Sequence, residues 1–309
     1  MKALVYKSTG SWYVVKNALG DQYNARIKGK FKIGNITSTN PLAVGDVVDV
    51  ENDNEGEKSV IINNIYDRRN YITRQSPHNK NQHHIIASNL DQSFLIATIK
   101  SPKTSLGFID RFLITGEAYH IPTVIILNKS DLYAESDHER FEEVRYQYEH
   151  IGYKVLSMSL SERKGIAEVI DLLKGKTTLL SGHSGVGKSS FINTLFPELI
   201  LKTQDVSEWS GKGLHTTTFA EMFDIPNGGK IIDTPGLREF ALMDIPKNEL
   251  AHYFPEMKAL INDCKYNNCM HINEPGCAVK AAVECESISV DRYYSYINIL
   301  ESIDNKKGK

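Results

Sequence analysis

Gly182-His183-Ser184-Gly185-Val186-Gly187-Lys188-Ser189 follows the spacing G-x-x-x-x-G-K-[ST], a pattern whose chemistry is the capture of phosphate. Glycines let successive backbone N–H groups turn inward, and a helix that starts at the end of the loop adds its partial positive charge. In that frame Gly182 through Gly187 and Ser190 wrap a nucleoside triphosphate. The Lys188 ammonium reaches the β- and γ-phosphates, and the Ser189 hydroxyl holds Mg²⁺. The setting fits, because Thr177-Thr178-Leu179-Leu180 suits a buried strand and Ser190 to Phe196 opens a helical pattern.

A second constellation, Asn128-Lys129-Ser130-Asp131, ends the apolar run Thr123 to Leu127 and matches N-K-x-D. A carboxylate at Asp131 can accept from both the ring N–H and the exocyclic amine of guanine, whereas adenine presents an acceptor at that ring position and lacks the amine. Asn128 bonds the base edge or braces neighbouring loops, and the Lys129 stem covers the base face. Ser159-Leu160 stands where GTP-binding domains have a Ser-Ala turn whose backbone N–H meets the guanine oxygen. Downstream, Asp233-Thr234-Pro235-Gly236 supplies D-x-x-G, with Asp233 near Mg²⁺ and the Gly236 N–H near the γ-phosphate. The polar loop Gly211 to Thr218 is of the kind that orders around that phosphate. Thr217 is its expected Mg²⁺ ligand, with Thr216 next in line. Leu237 follows Gly236 where many GTPases carry the glutamine that orients attacking water, so intrinsic hydrolysis is expected to be slow. Either His215 orients the water instead, or a partner orders the site; Arg238 reads as a surface arginine rather than a charge-stabilising finger.

Cys264, Cys269, His271 and Cys277 form C-x4-C-x-H-x5-C. Three thiolates and an imidazole complete a tetrahedral structural Zn²⁺ site with no open position. Cys285 lies outside the pattern, and four cysteines in 309 residues are too few for a disulfide scaffold.

The elements that must hold these groups fall into three parts. Residues 1–72 show five short β-like runs (Leu4 to Tyr6, Trp12 to Val15, Asn24 to Ile33, Asp46 to Val50, Ser59 to Ile65), the spacing of an oligonucleotide-binding (OB) type β-barrel. In the third run Arg26, Lys28, Lys30 and Lys32 alternate with other residues, so one strand face carries four cations able to follow a phosphate backbone, or is a solvated face. Residues 68–84 read as a basic linker without periodicity. From 85 to 243 apolar strands alternate with amphipathic helices, as in an α/β sheet, and 244–309 is helical around the Cys/His cluster. No apolar run approaches the roughly 18 residues of a membrane helix, and polar residues after Lys7 interrupt any signal-peptide core. A monomer in the cytoplasm, without a membrane contact, is expected.

The motif order is unusual, with N-K-x-D at 128 preceding the phosphate loop at 182 and D-x-x-G at 233. The chain therefore reads as multidomain, β and α/β: an OB-type barrel, a circularly permuted P-loop GTPase domain, and a C-terminal zinc-binding helical domain. In this it resembles the ribosome small-subunit-dependent GTPase A family, whose Ser-Gly-Val-Gly-Lys-Ser-Ser, His-Thr-Thr-Thr and Asp-Thr-Pro-Gly segments correspond to 184–190, 215–218 and 233–236. The resemblance covers nearly the whole chain. It implies hydrolysis of GTP to GDP, stimulated by the small ribosomal subunit and its rRNA, in late maturation of that subunit. Two other readings are a GTP-gated RNA-binding module with incidental turnover and a small-molecule kinase, the latter disfavoured by N-K-x-D.

Overall fold

A computed structural model describes residues 1–10, 12–27, 41–53, 58–75, 83–197, 220–226, 228–234 and 245–304. Strands β1 (Lys2–Ser8), β2 (Tyr13–Asn17), β3 (Gln22–Ile27), β4 (Val47–Asn52) and β5 (Ser59–Ile65) pair in the order β1-β2-β3-β5-β4, and β4 returns to β1. This closed ring, with β3 and β5 parallel, is the expected five-stranded barrel. Alternation closes it: Val5, Val15, Ala25, Val48, Val60 and Ile62 turn inward and are buried. Of the expected basic face, Arg26 pairs with Asp53 at 2.9 Å, while Lys28, Lys30 and Lys32 lie outside the described residues.

The reading of 68–84 as a linker needs correction. Within it β6 (Tyr71–Gln75) pairs with β7 (His83–Ser88) as an antiparallel hairpin. Ile72 and Ala87 are buried in one core with Val44, which bridges to Ala87. So short a strand, set among cations, shows too little alternation to be read from sequence. Arg68 is not part of a basic surface either: it grips the buried Asp46 carboxylate through Nε at 2.6 Å, and Ser88 donates to the same group at 2.6 Å.

From Gln92 the chain builds a sheet in the order β10-β9-β8-β11-β13-β12. Its strands are β8 (Gln92–Ala97), β9 (Thr123–Asn128), β10 (Lys154–Met158), β11 (Thr177–Ser181), β12 (Glu221–Asp224) and β13 (Lys230–Asp233). All neighbours are parallel except β12, the antiparallel edge. Strands β8 and β9 are buried throughout because helices cover both faces. On one face α1 (Leu106–Ala118) and α2 (Glu135–His150) pack Phe112 and Val144 against Leu95 and Ile125. On the other α3 (Ile166–Leu173) and α4 (Lys188–Leu195) pack Val169 and Phe191 against Phe94 and Ile126. Strand order reverses between β8 and β11, and ligands of such sheets bind beyond the strands' carboxyl ends at that reversal.

The barrel meets this sheet at its edge, where Lys7 of β1 pairs with Glu221 of β12. Asp224, at the end of β12, accepts from Tyr6 (2.6 Å), Lys16 (2.7 Å) and Lys230 (2.9 Å). Burial pushes the Asp224 carboxyl up, but those donors outweigh it and hold its pKa at about 2.

After residue 244 short helices enclose a third core that includes Phe254, Met257, Val279, Tyr296 and Ile299. Helix α1 is shared with it, through Ile114 and through a buried joint. Arg292, 1% exposed, donates to Asp110 of α1 at 2.6 Å and to Glu256 at 2.7 Å, and Tyr148 of α2 donates to Asp110 at 2.7 Å. Removing one partner of a buried charge pair leaves the other uncompensated. Asp110→Ala should therefore cost about 3 kcal/mol or more, measured as a lower urea midpoint at unchanged slope. A cost below about 1 kcal/mol would mean that Glu256 alone satisfies Arg292.

Candidate functional site

The carboxyl ends of β9, β10, β11 and β13 bring Asn128, Ser159, the 182–187 loop and Asp233 to one edge of the sheet. Parallel register enforces this, since Met158 lies beside Asn128 and Leu180 beside Asp233. Gly187 has φ +102°, and a Cβ there would stand 2.5 Å from Asn128 Nδ2. That glycine is required by the close approach of the N-K-x-D asparagine as well as by the turn. Asn128, 2% exposed, donates from Nδ2 to the Val186 carbonyl at 2.8 Å, and its Oδ1 has no partner among the described residues. Of the two roles open to Asn128 from sequence, the brace is present in the fold.

Ser159, fully buried, donates to Asp131 Oδ1 at 2.7 Å. This bond lowers the Asp131 pKa, with burial opposing and Ser161 adding a little. The carboxylate is thus kept ionised, the form that accepts two donors. Leu160 packs beside the α3/α4 core. Lys129 has φ +65° and its ammonium donates to the Ser101 carbonyl at 2.6 Å. Lys188 lies on the loop's own carbonyls, that of Gly182 and, at 2.9 Å, that of His183. Burial lowers its pKa and Asp233 opposes this; burial raises the Asp233 pKa and Lys188 opposes it. The arrangement sets a cation at the loop, a carboxylate across from it, and exposed Ser184, Gly185, Ser189 and Ser190 at its mouth. The His183 ring turns away from that mouth, with Nε2 2.7 Å from Thr104 Oγ1.

The Cys/His cluster also forms. The ligating atoms of Cys264, Cys269, His271 and Cys277 lie within 4.8 Å of one another and could hold one metal ion. His271 presents Nδ1 to the thiols, 3.3 Å from Cys277 Sγ and 3.7 Å from Cys264 Sγ, and burial lowers its pKa, favouring the neutral imidazole that ligates metal. The loop is held from outside: Glu274 accepts from the Met270, Ile272 and Asn273 N–H groups, and Tyr293 and Tyr296 of the helix Val290–Asp304 donate to the His271 and Met270 carbonyls at 2.7 and 2.8 Å.

The profile described as RsgA GTPase matches residues 65–243, and that described as RsgA N-terminal domain matches residues 2–61. The chain belongs to the RsgA GTPase family. Among its relatives, the small ribosomal subunit biogenesis GTPase RsgA of Flavobacterium psychrophilum is 52% identical over 98% of this chain and 94% of the relative. The protein of the same name from Phocaeicola vulgatus is 50% identical over 100% of this chain and 98% of the relative. The crystal structure of YjeQ from Thermotoga maritima superposes with a TM-score of 0.78 at 32% identity, covering 100% of this chain and 99% of that one. YloQ, described as a circularly permuted GTPase, gives 0.75 at 28% identity, covering 100% and 96%. As an RsgA-family GTPase the chain is a GTP hydrolase, and the permutation read from motif order holds.

Several expected site residues of this RsgA-family chain, His215, Thr216, Thr217, Gly236, Leu237 and Arg238, lie outside the described residues. Sequence reasoning also missed a participant: residues 98–104, ahead of α1, touch both the phosphate loop and the N-K-x-D lysine. No motif marks that segment, and its contact with His183 spans 79 positions.

Proposed function

We propose that the chain binds the small ribosomal subunit and its rRNA, acts late in that subunit's maturation, and hydrolyses GTP to GDP and phosphate fastest when bound to it. The carrying observation is the assembled edge of the sheet, where Asn128 clamps the phosphate loop and Ser159 orients Asp131. The names of the relatives support the choice of subunit. In this reading residues 1–72 are the RNA-binding barrel, 85–243 the GTPase domain and 244–309 the metal-binding domain. Asp131, Asn128, Lys129 and the Ser159-Leu160 turn read the guanine, and Gly182 to Ser190 hold the phosphates. Ser189 and Thr217, or Thr216, ligate Mg²⁺ near Asp233, and the Gly236 N–H meets the γ-phosphate. Mg²⁺ supplies charge neutralisation on the β- and γ-oxygens.

Zinc is the proposed ion at Cys264, Cys269, His271 and Cys277, since soft thiolates with one imidazole in a closed set suit it. Leu237 leaves the attacking water without the usual glutamine, so His215 or the bound subunit must order it. The protein works as a monomer in the cytoplasm. The test is GTP turnover by the protein alone, with small subunits and with large subunits. Stimulation by small subunits alone, reduced at least about 100-fold in Lys188→Ala, is expected. Equal slow rates in all three, with GTP still bound, would instead favour a nucleotide-gated RNA-binding module.

A further inference from the structure

Two glycines of the phosphate loop flank a short stretch that must hold its shape around an anion. Glycine backbones have the most freedom to lose, so something outside the loop has to restrict them. On one side Val186 is buried in the core with Phe191. On the other the His183 ring leaves the loop, meets Phe108 edge-on at 5.5 Å between centroids, and places Nε2 2.7 Å from Thr104 Oγ1. The proton arrangement follows from the partners. Nδ1 lies 3.0 Å from the Ser184 carbonyl, which can only accept, so Nδ1 carries the hydrogen and Nε2 accepts from the Thr104 hydroxyl.

Thr104 is itself fixed. Its Oγ1 accepts from the Thr98 N–H at 2.9 Å and its N–H donates to the Thr98 carbonyl at 2.9 Å, while Thr98 Oγ1 donates to the Pro102 carbonyl. Ser105 then caps α1, accepting from the Phe108 N–H. This small closed loop makes two further contacts with the nucleotide motifs. The Pro102 ring lies 3.4 Å from where a Cβ on Gly185 would stand, and the Ser101 carbonyl receives the Lys129 ammonium at 2.6 Å.

We propose that residues 98–104 form a bracket that sets the phosphate loop against the base-reading motif, with His183 and Thr104 as its polar joint. The proposal rests on the nucleotide reading given above. His183 and Thr104 are positioning residues: the bracket restricts the glycine loop before nucleotide arrives, so its loss lowers affinity more than it alters the chemical step.

The test uses the full chain with fluorescently labelled GDP as probe, thermal melting to check folding, and steady-state GTP hydrolysis. The variants are His183→Ala, Thr104→Val, both together, Thr104→Ser and Lys188→Ala. Each single loss should weaken GDP binding about three- to tenfold, with KM for GTP raised and kcat held. The double variant should be no weaker than the singles, because one joint cannot be lost twice. Thr104→Ser keeps the hydroxyl and should bind within about twofold of the parent. Thr104→Val also strips an acceptor from the Thr98 N–H; if it fails to fold, His183→Ala and Thr104→Ser decide the matter. Unchanged GDP affinity in His183→Ala, or a double variant whose loss is the product of the single losses, overturns the bracket. If Lys188→Ala binds GDP as the parent does, the nucleotide reading itself has failed; if it binds weakly while His183→Ala does not, only the bracket has.

Discussion

The Asp131→Asn protein should bind GTP about 10²- to 10⁴-fold more weakly and should gain affinity for xanthosine triphosphate. Two hydrogen bonds from guanine to a carboxylate are at stake, each worth about 1.5–3 kcal/mol when one member is charged, and every 1.4 kcal/mol is tenfold. Ser159 matters to the size of the effect, because its hydroxyl orients the carboxylate and helps to keep it ionised. An asparagine retains one acceptor for the ring N–H but turns an amide donor toward the exocyclic amine, donor against donor. Xanthine has a carbonyl at that position and restores the match. Competition titrations with GTP, xanthosine triphosphate and ATP read the switch directly. A variant that still preferred GTP over xanthosine triphosphate would place base recognition elsewhere.

The second large effect concerns the metal ion proposed at Cys264, Cys269, His271 and Cys277. Chelation, or His271→Ala, should unfold the C-terminal helices while leaving the parallel sheet intact. Structural zinc contributes roughly 10–16 kcal/mol of apparent folding free energy in small isolated domains, and for the zinc proposed here that figure is a ceiling, because the helices also bury Phe254, Met257 and Tyr296 in a core with Ile114 of α1. The cost should nevertheless be severe. The cluster loop carries three thiols, and its carbonyls at Met270 and His271 are tied to Tyr296 and Tyr293, on the helix that also carries Arg292. Loss of the loop therefore loosens the Arg292–Asp110 joint to α1. Hydrogen exchange before and after chelation should show protection lost from Lys247 to Asp304 and retained in β8 and β9. Cys285→Ser, outside the cluster and exposed, should match the parent. Equal protection with and without chelator would leave the cluster no structural role.

How much of this could be read from the chain alone varies from element to element. The apolar spacing over Gly107 to His120 predicts a helix, and α1 spans Leu106–Ala118. The pattern over His138 to Glu149 predicts another, and α2 spans Glu135–His150, an ordinary disagreement over ends that fray. Strands β8 and β9 are legible because strands buried on both faces carry apolar runs, here Phe94 to Ala97 and Val124 to Leu127. Hairpin β6–β7 was not, since a short strand exposes one face and carries whatever charge its surroundings tolerate. The same limit hid Arg68, whose positive charge reads as surface until the Asp46 carboxylate facing it is known.

Sequence by itself determined the motifs on which the proposed chemistry rests. The glycine-lysine-serine loop, the N-K-x-D carboxylate, the three thiols with a histidine and the permuted order of motifs are all legible along the chain, because each motif's residue types and turn geometry reside in a few nearby residues. What only the tertiary structure decided is which distant groups hold those motifs in place. Asn128 donates to the Val186 carbonyl, Thr104 receives His183, and Arg292 joins the helix Val290–Asp304 to α1. Each of these contacts joins positions 58 to 182 residues apart, and its energy depends on burial and orientation, which no window of sequence contains.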